Sequence, residues 1–345
     1  MAGSKLTFPQ KLRIDLAFET GRMDRVAALL DRFAAKGVDV AGVPFRLLDR
    51  AFAGEPAVVS DMGGLGRFTL GGQPRLFAAI VADCHDRQTP ALRALVGDPS
   101  AHPRTRFEAM GWSVFLTNRA APPTCGPATG PLFQFWDRDP PAEIITARRE
   151  FASSVPGSLW FDADQARAYV AQNFDGEMVT LWDGLWHPAL QSDVFRLLRL
   201  VHDGGLYIDA DSAPGPKLPT FCAVAGGAVW GCAMTNVPGC AALNHFLATP
   251  PNAPVLTEYL GLVVQNLRDR PFDNIFWLTG PGAFTRFLYR RGGGISLLPR
   301  EVVWGDYAAQ IDAGYKRSDR NWRVREHGLG LTDQGPLAAA LSDLS

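Results

Sequence analysis

The chain has 345 residues, a formal net charge of −1, 47% hydrophobic residues and 20% charged residues. That balance is ordinary for globular protein and long enough for about two domains. Lys and Arg are neither in excess nor clustered, which excludes a basic nucleic-acid footprint, and no window approaches the ~20 consecutive apolar residues of a membrane span.

The N-terminus reads MAGSKLTFPQKLRID, with charges and a proline where a signal peptide needs an unbroken apolar stretch. The five cysteines, Cys84, Cys125, Cys222, Cys232 and Cys240, are odd in number and form no C-x2-C pair. Neither a disulfide framework nor a zinc site is indicated, so reduced thiols in a cytoplasmic protein are expected, with at most peripheral membrane association.

The first ~120 residues carry apolar stripes at helical spacing. Met23, Val26, Leu29, Leu30 and Phe33 form one, closed by Gly37; Leu76, Ile80, Val81 and Cys84 form another after Pro74; Phe107, Met110 and Val114 form a third after Pro103. Gly64-Leu65-Gly66 has Thr69 where a dinucleotide-binding loop needs its third glycine, so a flexible loop is expected there. Residues 121–131 are crowded with Pro and Gly and mark a boundary. The expected organisation is a helical region over 1–125, an α/β domain over 126–330, and a C-terminal tail over 331–345.

After the boundary the pattern alternates. Leu132–Trp136 reads as a buried strand, Pro141–Phe151 as a helix, Ser158–Phe161 as a second strand and Asp164–Asn173 as a second helix. Such alternation predicts an α/β layer with a mostly parallel sheet.

Residues 191–219 carry the most information. Leu190, Val194, Leu197, Leu198 and Val201 make one helical core face, with Ser192, Asp193 and Arg196 on a neighbouring face. Gly204-Gly205 stops that helix, and Leu206–Asp209 follows as a strand. Tyr207, Asp209 and Asp211 share parity if the extended geometry persists. Ser212-Ala213-Pro214-Gly215-Pro216 is expected to continue neither strand nor helix. Two carboxylates at a strand's carboxyl end stand where open α/β sheets bind ligands, and hard oxygen ligands suit Mg²⁺ or Mn²⁺ bridging to phosphate. A second Asp-x-Asp, at Asp162 and Asp164, precedes a helix directly, so helix capping is expected there.

The run Ser192, Asp193, Arg196, Leu200, Gly204, Gly205, Tyr207, Asp209, Asp211 resembles the DXD sugar-binding region of glycosyltransferase family 32. Phe133–Trp136, Pro141–Ile144, Trp160–Asp162 and Thr279-Gly280-Pro281 resemble weaker parts of the same pattern, in order, so the likeness spans about 131–325. It implies a nucleotide-diphospho-sugar transferase fold of the GT-A type with an additional N-terminal helical region. It also implies a Mn²⁺ or Mg²⁺ ion, a UDP- or GDP-sugar donor, a glycan or glycolipid acceptor, and retention of anomeric configuration. Carried over by position, Asp211 ligates the metal, and Asp209 contacts the ribose and, through water, the metal. Asp193 and Arg196 hold sugar hydroxyls beside Tyr207, and Trp136 stacks on the base. The family often closes the metal site with a histidine beside a tryptophan near its C-terminus. Here Asn321 stands in the histidine's place next to Trp322, and its amide oxygen is expected as the substitute ligand.

Two other readings compete. A haloacid-dehalogenase-type phosphatase needs Thr or Val four residues after its first aspartate, where this chain has Ala213. A non-catalytic nucleotide-sugar- or carbohydrate-binding module would explain the missing histidine but not the retained charges at Asp193, Arg196, Asp209 and Asp211.

Overall fold

Apolar spacing of 3.6 residues in the N-terminal third gives way to short apolar runs separated by helices. The computed structural model follows that change. It describes residues 4–54, 56–69, 73–126, 130–234, 240–317 and 334–342. They divide into one unit of Met1–Thr117 with Met234–Cys240 and Leu341–Ser345, and another of Asn118–Ala233 with Ala241–Ala340.

The first unit holds a two-residue parallel ladder of β1 (Ser4–Lys5) and β2 (Val38–Asp39). Around it are helices α1 (Phe8–Glu19), α2 (Met23–Ala34), α3 (Val43–Ala53), α4 (Gln73–Asp83), α5 (Pro90–Gly97) and α6 (Pro103–Asn118). The expected stripes are its core: Val26, Leu30 and Phe33 on α2, Leu76 and Ile80 on α4, and Phe107, Met110 and Val114 on α6 are all buried. The flexible loop expected at Gly64-Leu65-Gly66 is instead part of a run of 3₁₀ turns over Pro56–Phe68. Val59, Met62 and Leu65 are buried there at a spacing of three, the repeat that lines one face of a 3₁₀ helix. Thr69 closes the run, its amide and hydroxyl both donating to Gly66 O at 3.1 and 2.7 Å.

The second unit begins with β3 (Leu132–Phe135), α7 (Ala142–Ser154), β4 (Leu159–Phe161), α8 (Ala163–Asn173), α9 (Gly176–Asp183), α10 (Pro188–Asp203) and β5 (Gly205–Ile208). It continues with β6 (Ser212–Pro214), α11 (Leu218–Val224), β7 (Trp230–Met234), β8 (Ala241–Thr249), α12 (Pro254–Asp269), α13 (Ile275–Leu278), α14 (Pro281–Arg291), β9 (Ser296–Pro299) and β10 (Ala308–Gln310). A six-stranded sheet runs β4-β3-β5-β8-β7-β9. β3 is parallel to β4 and β5, β7 is parallel to β9, and β5 is antiparallel to β8. This is the mixed α/β architecture with a mostly parallel central sheet that the alternation predicts. No helix among the described residues is long and apolar enough to cross a membrane.

Strand order places the ligand edge. From β3 the chain crosses to β4 on one side and later returns to β5 on the other, so the order reverses at β3. The edge at the carboxyl ends of β3 and β5 is therefore the switch point of the sheet, the place where open α/β sheets bind ligands. Trp136 follows β3 and Asp209 follows β5.

Two glycines make the return to β5. Gly204 has φ 69 and ψ −162 at the end of α10, and Gly205 has φ +111. A side chain at Gly204 would meet Pro251 and Thr249 O at 2.8 Å, and one at Gly205 would meet Pro131 O at 2.5 Å. Only glycine satisfies both the backbone angle and the space. α10 therefore folds directly back along β5, burying Leu190, Val194, Leu197 and Leu198.

One expectation is corrected here. Ser212–Pro214 does form a strand, β6, paired antiparallel with β10. A two-stranded edge ladder tolerates proline because one side needs no donor. The neighbours carry the bonding instead: Gly215 N donates to Tyr307 O at 2.7 Å and Ile311 N to Asp211 O at 2.9 Å.

The cap expected at Asp162 is formed. Asp162 accepts from Gln165 N at 2.8 Å, and the Gln165 side chain accepts from Asp162 N at 3.0 Å. Asp162→Ala is expected to cost about 1 kcal/mol in urea unfolding. Asp164→Ala, which only removes charge from the first turn, is expected to cost less than half of that. Equal losses would refute the capping assignment.

Candidate functional site

Because α10 doubles back onto β5, its first two turns lie beside that strand's carboxyl end. Ser192 Oγ is 2.8 Å from Tyr207 Oη, and Tyr207 Oη donates to Asp209 Oδ1 at 2.8 Å. Arg196 is the hub. Its Nη2 lies 2.7 Å from Ser192 Oγ, 3.0 Å from Asp193 Oδ1 and 3.3 Å from Asp209 Oδ1. Its Nη1 donates to Asn244 O at 2.5 Å and its Nε to Ser192 O at 3.1 Å. The guanidinium sits 4.4 Å from the centroid of the Tyr207 ring. Asp193 is held from two further elements, accepting from Asn244 Nδ2 at 2.9 Å and from Thr279 Oγ1 at 2.7 Å.

The cluster is interior. Asp193 is 6% exposed and Arg196 4%, whereas the Asp209 side chain keeps 27% exposure. Burial pushes the Asp193 carboxyl up, with the Arg196 guanidinium pulling it back. Burial opposes the Arg196 charge, yet Tyr207, Asp209 and Asp193 around it raise its pKa above the ordinary guanidinium value. Burial also drives the Tyr207 hydroxyl well above the usual phenol range, so it stays a proton donor to Asp209. A buried charge is tolerated only when paired and hydrogen-bonded, and each of these is.

Asp211 is set differently. Asp209 N donates to His245 O at 2.9 Å, continuing the β5–β8 ladder, and Ser212 N then donates to Asp209 O at 3.2 Å. The chain turns over Asp209–Ser212, so the extended geometry assumed for shared parity does not persist. Asp211 Oδ2 accepts from Tyr315 Oη at 2.7 Å and lies 2.9 Å from Lys316 Nζ. Tyr315 packs edge-on against Trp136 with centroids 5.0 Å apart, and the indole N–H donates to Arg138 O at 3.0 Å. Trp136 is thus tied to the aspartate turn through one tyrosine.

Asp193, Arg196, Tyr207 and Asp209 form one hydrogen-bonded group, while Trp136 and Asp211 form a second through Tyr315. Asn321 and Trp322 lie outside the described residues. Sequence reading missed Asn244 and His245, placed Tyr315 and Lys316 in the stretch matched to the loop closing the metal site without giving them a role, and took Thr279 as part of a turn that could also touch substrate. Arg196 does contact Ser192 and Asp193, as a solvated helix pair would, but it is buried.

A hard divalent cation needs open oxygen ligands. Asp209 Oδ2 and Asp211 Oδ1 carry no hydrogen bond among the described residues, leaving one hard oxygen on each carboxylate. Two buried polar atoms without partners flank this turn, Ser212 Oγ and His245 Nε2. Burial holds His245 below the usual histidine value, against the pull of Asp209 and Asp211. No group of three or more His, Cys, Asp or Glu that could hold a metal exists among the described residues. One open oxygen on each carboxylate suits an ion of the Mg²⁺ or Mn²⁺ kind that takes most of its shell from water and phosphate oxygens, not an all-protein cage.

Residues 137–223 match the family model described as the glycosyltransferase sugar-binding region containing a DXD motif. That segment contains Asp193, Arg196, Tyr207, Asp209 and Asp211, so the chain carries a glycosyltransferase-type DXD region. No curated protein matches. Among solved structures, the PaToxG Glycosyltransferase is similar over 53% of this chain and 74% of that chain, with 20% sequence identity and a TM-score of 0.35. A likeness that distant does not bear on function.

Removing the hub should be costly. Arg196→Met leaves Asp193 buried without its cation and is expected to destabilise the second unit by roughly 3–5 kcal/mol. Asn244→Ala, which removes one neutral donor, is expected to cost about 1–3 kcal/mol. Urea unfolding in which Arg196→Met matches wild type would show that the network carries no structural weight.

Proposed function

We propose that the chain is a metal-dependent, retaining glycosyltransferase of the family 32 kind. It transfers a hexosyl group from a UDP- or GDP-sugar to a hydroxyl of a glycan or glycolipid acceptor. The observation that carries this reading is the buried Asp193–Arg196–Tyr207–Asp209 network. It stands at the sheet's switch point, inside the segment that matches the DXD sugar-binding region.

In this reading Asp209 and Asp211 would hold the Mn²⁺ or Mg²⁺ ion, with Asn321 as a further ligand and Trp322 next to it in sequence. The ion, when bound, would offset the charge that builds on the leaving diphosphate. The protein's own groups do the positioning. Arg196, itself paired with Asp193, holds Asp209 in place, and the Asp193–Arg196 pair would meet the sugar's hydroxyls. Tyr207 holds Asp209 from the side, and Trp136 offers its ring to the nucleobase. The bond from the sugar's anomeric carbon to the diphosphate oxygen breaks, and a bond to the acceptor oxygen forms on the same face. The acceptor's proton passes to the departing phosphate oxygen, so no separate base is needed.

One observation favours a second reading. Lys316 Nζ, 2.9 Å from Asp211 Oδ2, already neutralises one carboxylate, and Arg196 neutralises the other. An acid pair balanced by protein cations suits a nucleotide-sugar-binding module without turnover.

Donor hydrolysis with Mn²⁺ across a panel of UDP- and GDP-sugars separates the two. The transferase reading expects turnover, and Asp211→Asn should lower it by about 10²-fold or more. Near wild-type turnover in that variant would remove the metal assignment. Trp136→Ala should raise the donor KM while leaving kcat close to wild type, as loss of uniform binding does. An unchanged KM would remove the base-stacking role.

A further inference from the structure

A cavity of about 610 Å³ lies between α9 and the end of α12, beside the loop that leads into α10. None of its lining residues takes part in the proposed donor chemistry. Its apolar wall is Leu181, Leu267 and the indole of Trp186, which is 40% exposed. Its polar wall includes Thr180, Arg268 and Arg270. Arg268 is balanced by Glu177 at 3.0 Å, but Arg270 has no carboxylate partner among the described residues. The Arg270 guanidinium lies 4.3 Å from the centroid of the Trp186 ring.

The backbone of Arg270 makes this arrangement informative. Arg270 caps α12 in the left-handed region, with φ 46 and ψ 56, and its N–H bonds Asn266 O. Glycine takes that conformation without strain and asparagine with little, so a stability-driven sequence would use one of them. The strained arginine, stacked on a tryptophan of the cavity wall, holds a cation without a carboxylate partner among the described residues at the cavity.

We propose that this cavity binds a sugar bearing an anionic group, with the carboxylate or phosphate on Arg270 and the pyranose against the part of the Trp186 indole that stays exposed beside the guanidinium. An arginine fork pairs with either anion, and an indole supplies broad apolar surface for the ring's C–H face. Thr180, whose hydroxyl donates to Gly176 O at 2.8 Å, keeps its lone pairs for a sugar hydroxyl.

Glucuronate, glucose 6-phosphate and glucose serve as probes in saturation-transfer NMR on the full chain without nucleotide sugar. Wild type should bind at least one anionic probe about tenfold or more tightly than glucose, since charge-assisted bonds are about twice as strong as neutral ones. The stronger of the two identifies carboxylate or phosphate as the preferred group. Arg270→Gly should abolish that preference while keeping or raising the Tm, because it removes the cation and the backbone strain together. Trp186→Ala should weaken all three probes. No anionic preference in wild type, or a preference that survives Arg270→Gly, overturns the proposal; so does a Tm loss in Arg270→Gly with binding unchanged. A separate thermal-shift measurement on wild type with UDP- and GDP-sugars and Mn²⁺ tests the transferase reading. Anionic-sugar binding without a nucleotide-sugar shift would sink that reading and keep the cavity; the reverse would do the opposite.

Discussion

The second unit depends on keeping the Arg196 charge inside the protein. A guanidinium that is 4% exposed forfeits several kcal/mol of hydration and must recover it from fixed partners. Those partners come from four places in the sequence: Ser192 and Asp193 on its own helix, Tyr207 and Asp209 on and after β5, the Asn244 carbonyl on β8, and Thr279 acting through Asp193. Each must arrive in register for the charge to be tolerated. The network therefore acts as a gauge for the packing of α10 against the sheet, and Asp209 inherits that precision.

The Gly204-Gly205 turn is the geometric counterpart. Without two positive-φ residues and the close approach to Pro131 and Pro251, α10 could not reverse so tightly. Reversal within two residues puts the N-terminal turns of α10 next to the carboxyl end of β5. The sheet contributes the rest, because strand order reverses at β3, at that same edge. A helix stop and a strand crossover, each needed for packing alone, converge on one place where a polar cluster meets solvent.

Much of this was legible in the sequence, and what was not has a physical reason. The α10 stripe, the glycine stop, the β5 strand and the Asp162 cap all rest on neighbours within a few residues, where periodicity and capping rules operate. Asn244, Tyr315 and Lys316 reach the site from 48 residues after Arg196 and about a hundred after Asp211, a separation no local pattern records. β6 escaped because its partner β10 lies far along the chain and its proline argues against a strand when read alone. The 3₁₀ run over Pro56–Phe68 escaped because a spacing of three around glycines looks like a loop until Val59, Met62 and Leu65 are seen buried together. Arg270 offers no sequence signal at all, since a left-handed arginine is visible only in the backbone.

The two aspartates are held by unlike means, and that difference has consequences for any cation. Asp209 is braced from the interior by Arg196 and Tyr207, groups that cannot leave without unpacking α10. Asp211 is held by Tyr315 and Lys316, both half-buried, from a segment late in the chain. A lysine ammonium is a compact point charge on a flexible stem, so it can be exchanged where a buried arginine fork cannot. A divalent ion on the open Asp211 oxygen would repel the Lys316 ammonium held by the other oxygen, while Arg196 would stay in place. Ion binding and the position of the Tyr315–Lys316 segment would then be linked, with Trp136, packed on Tyr315, on the same linkage.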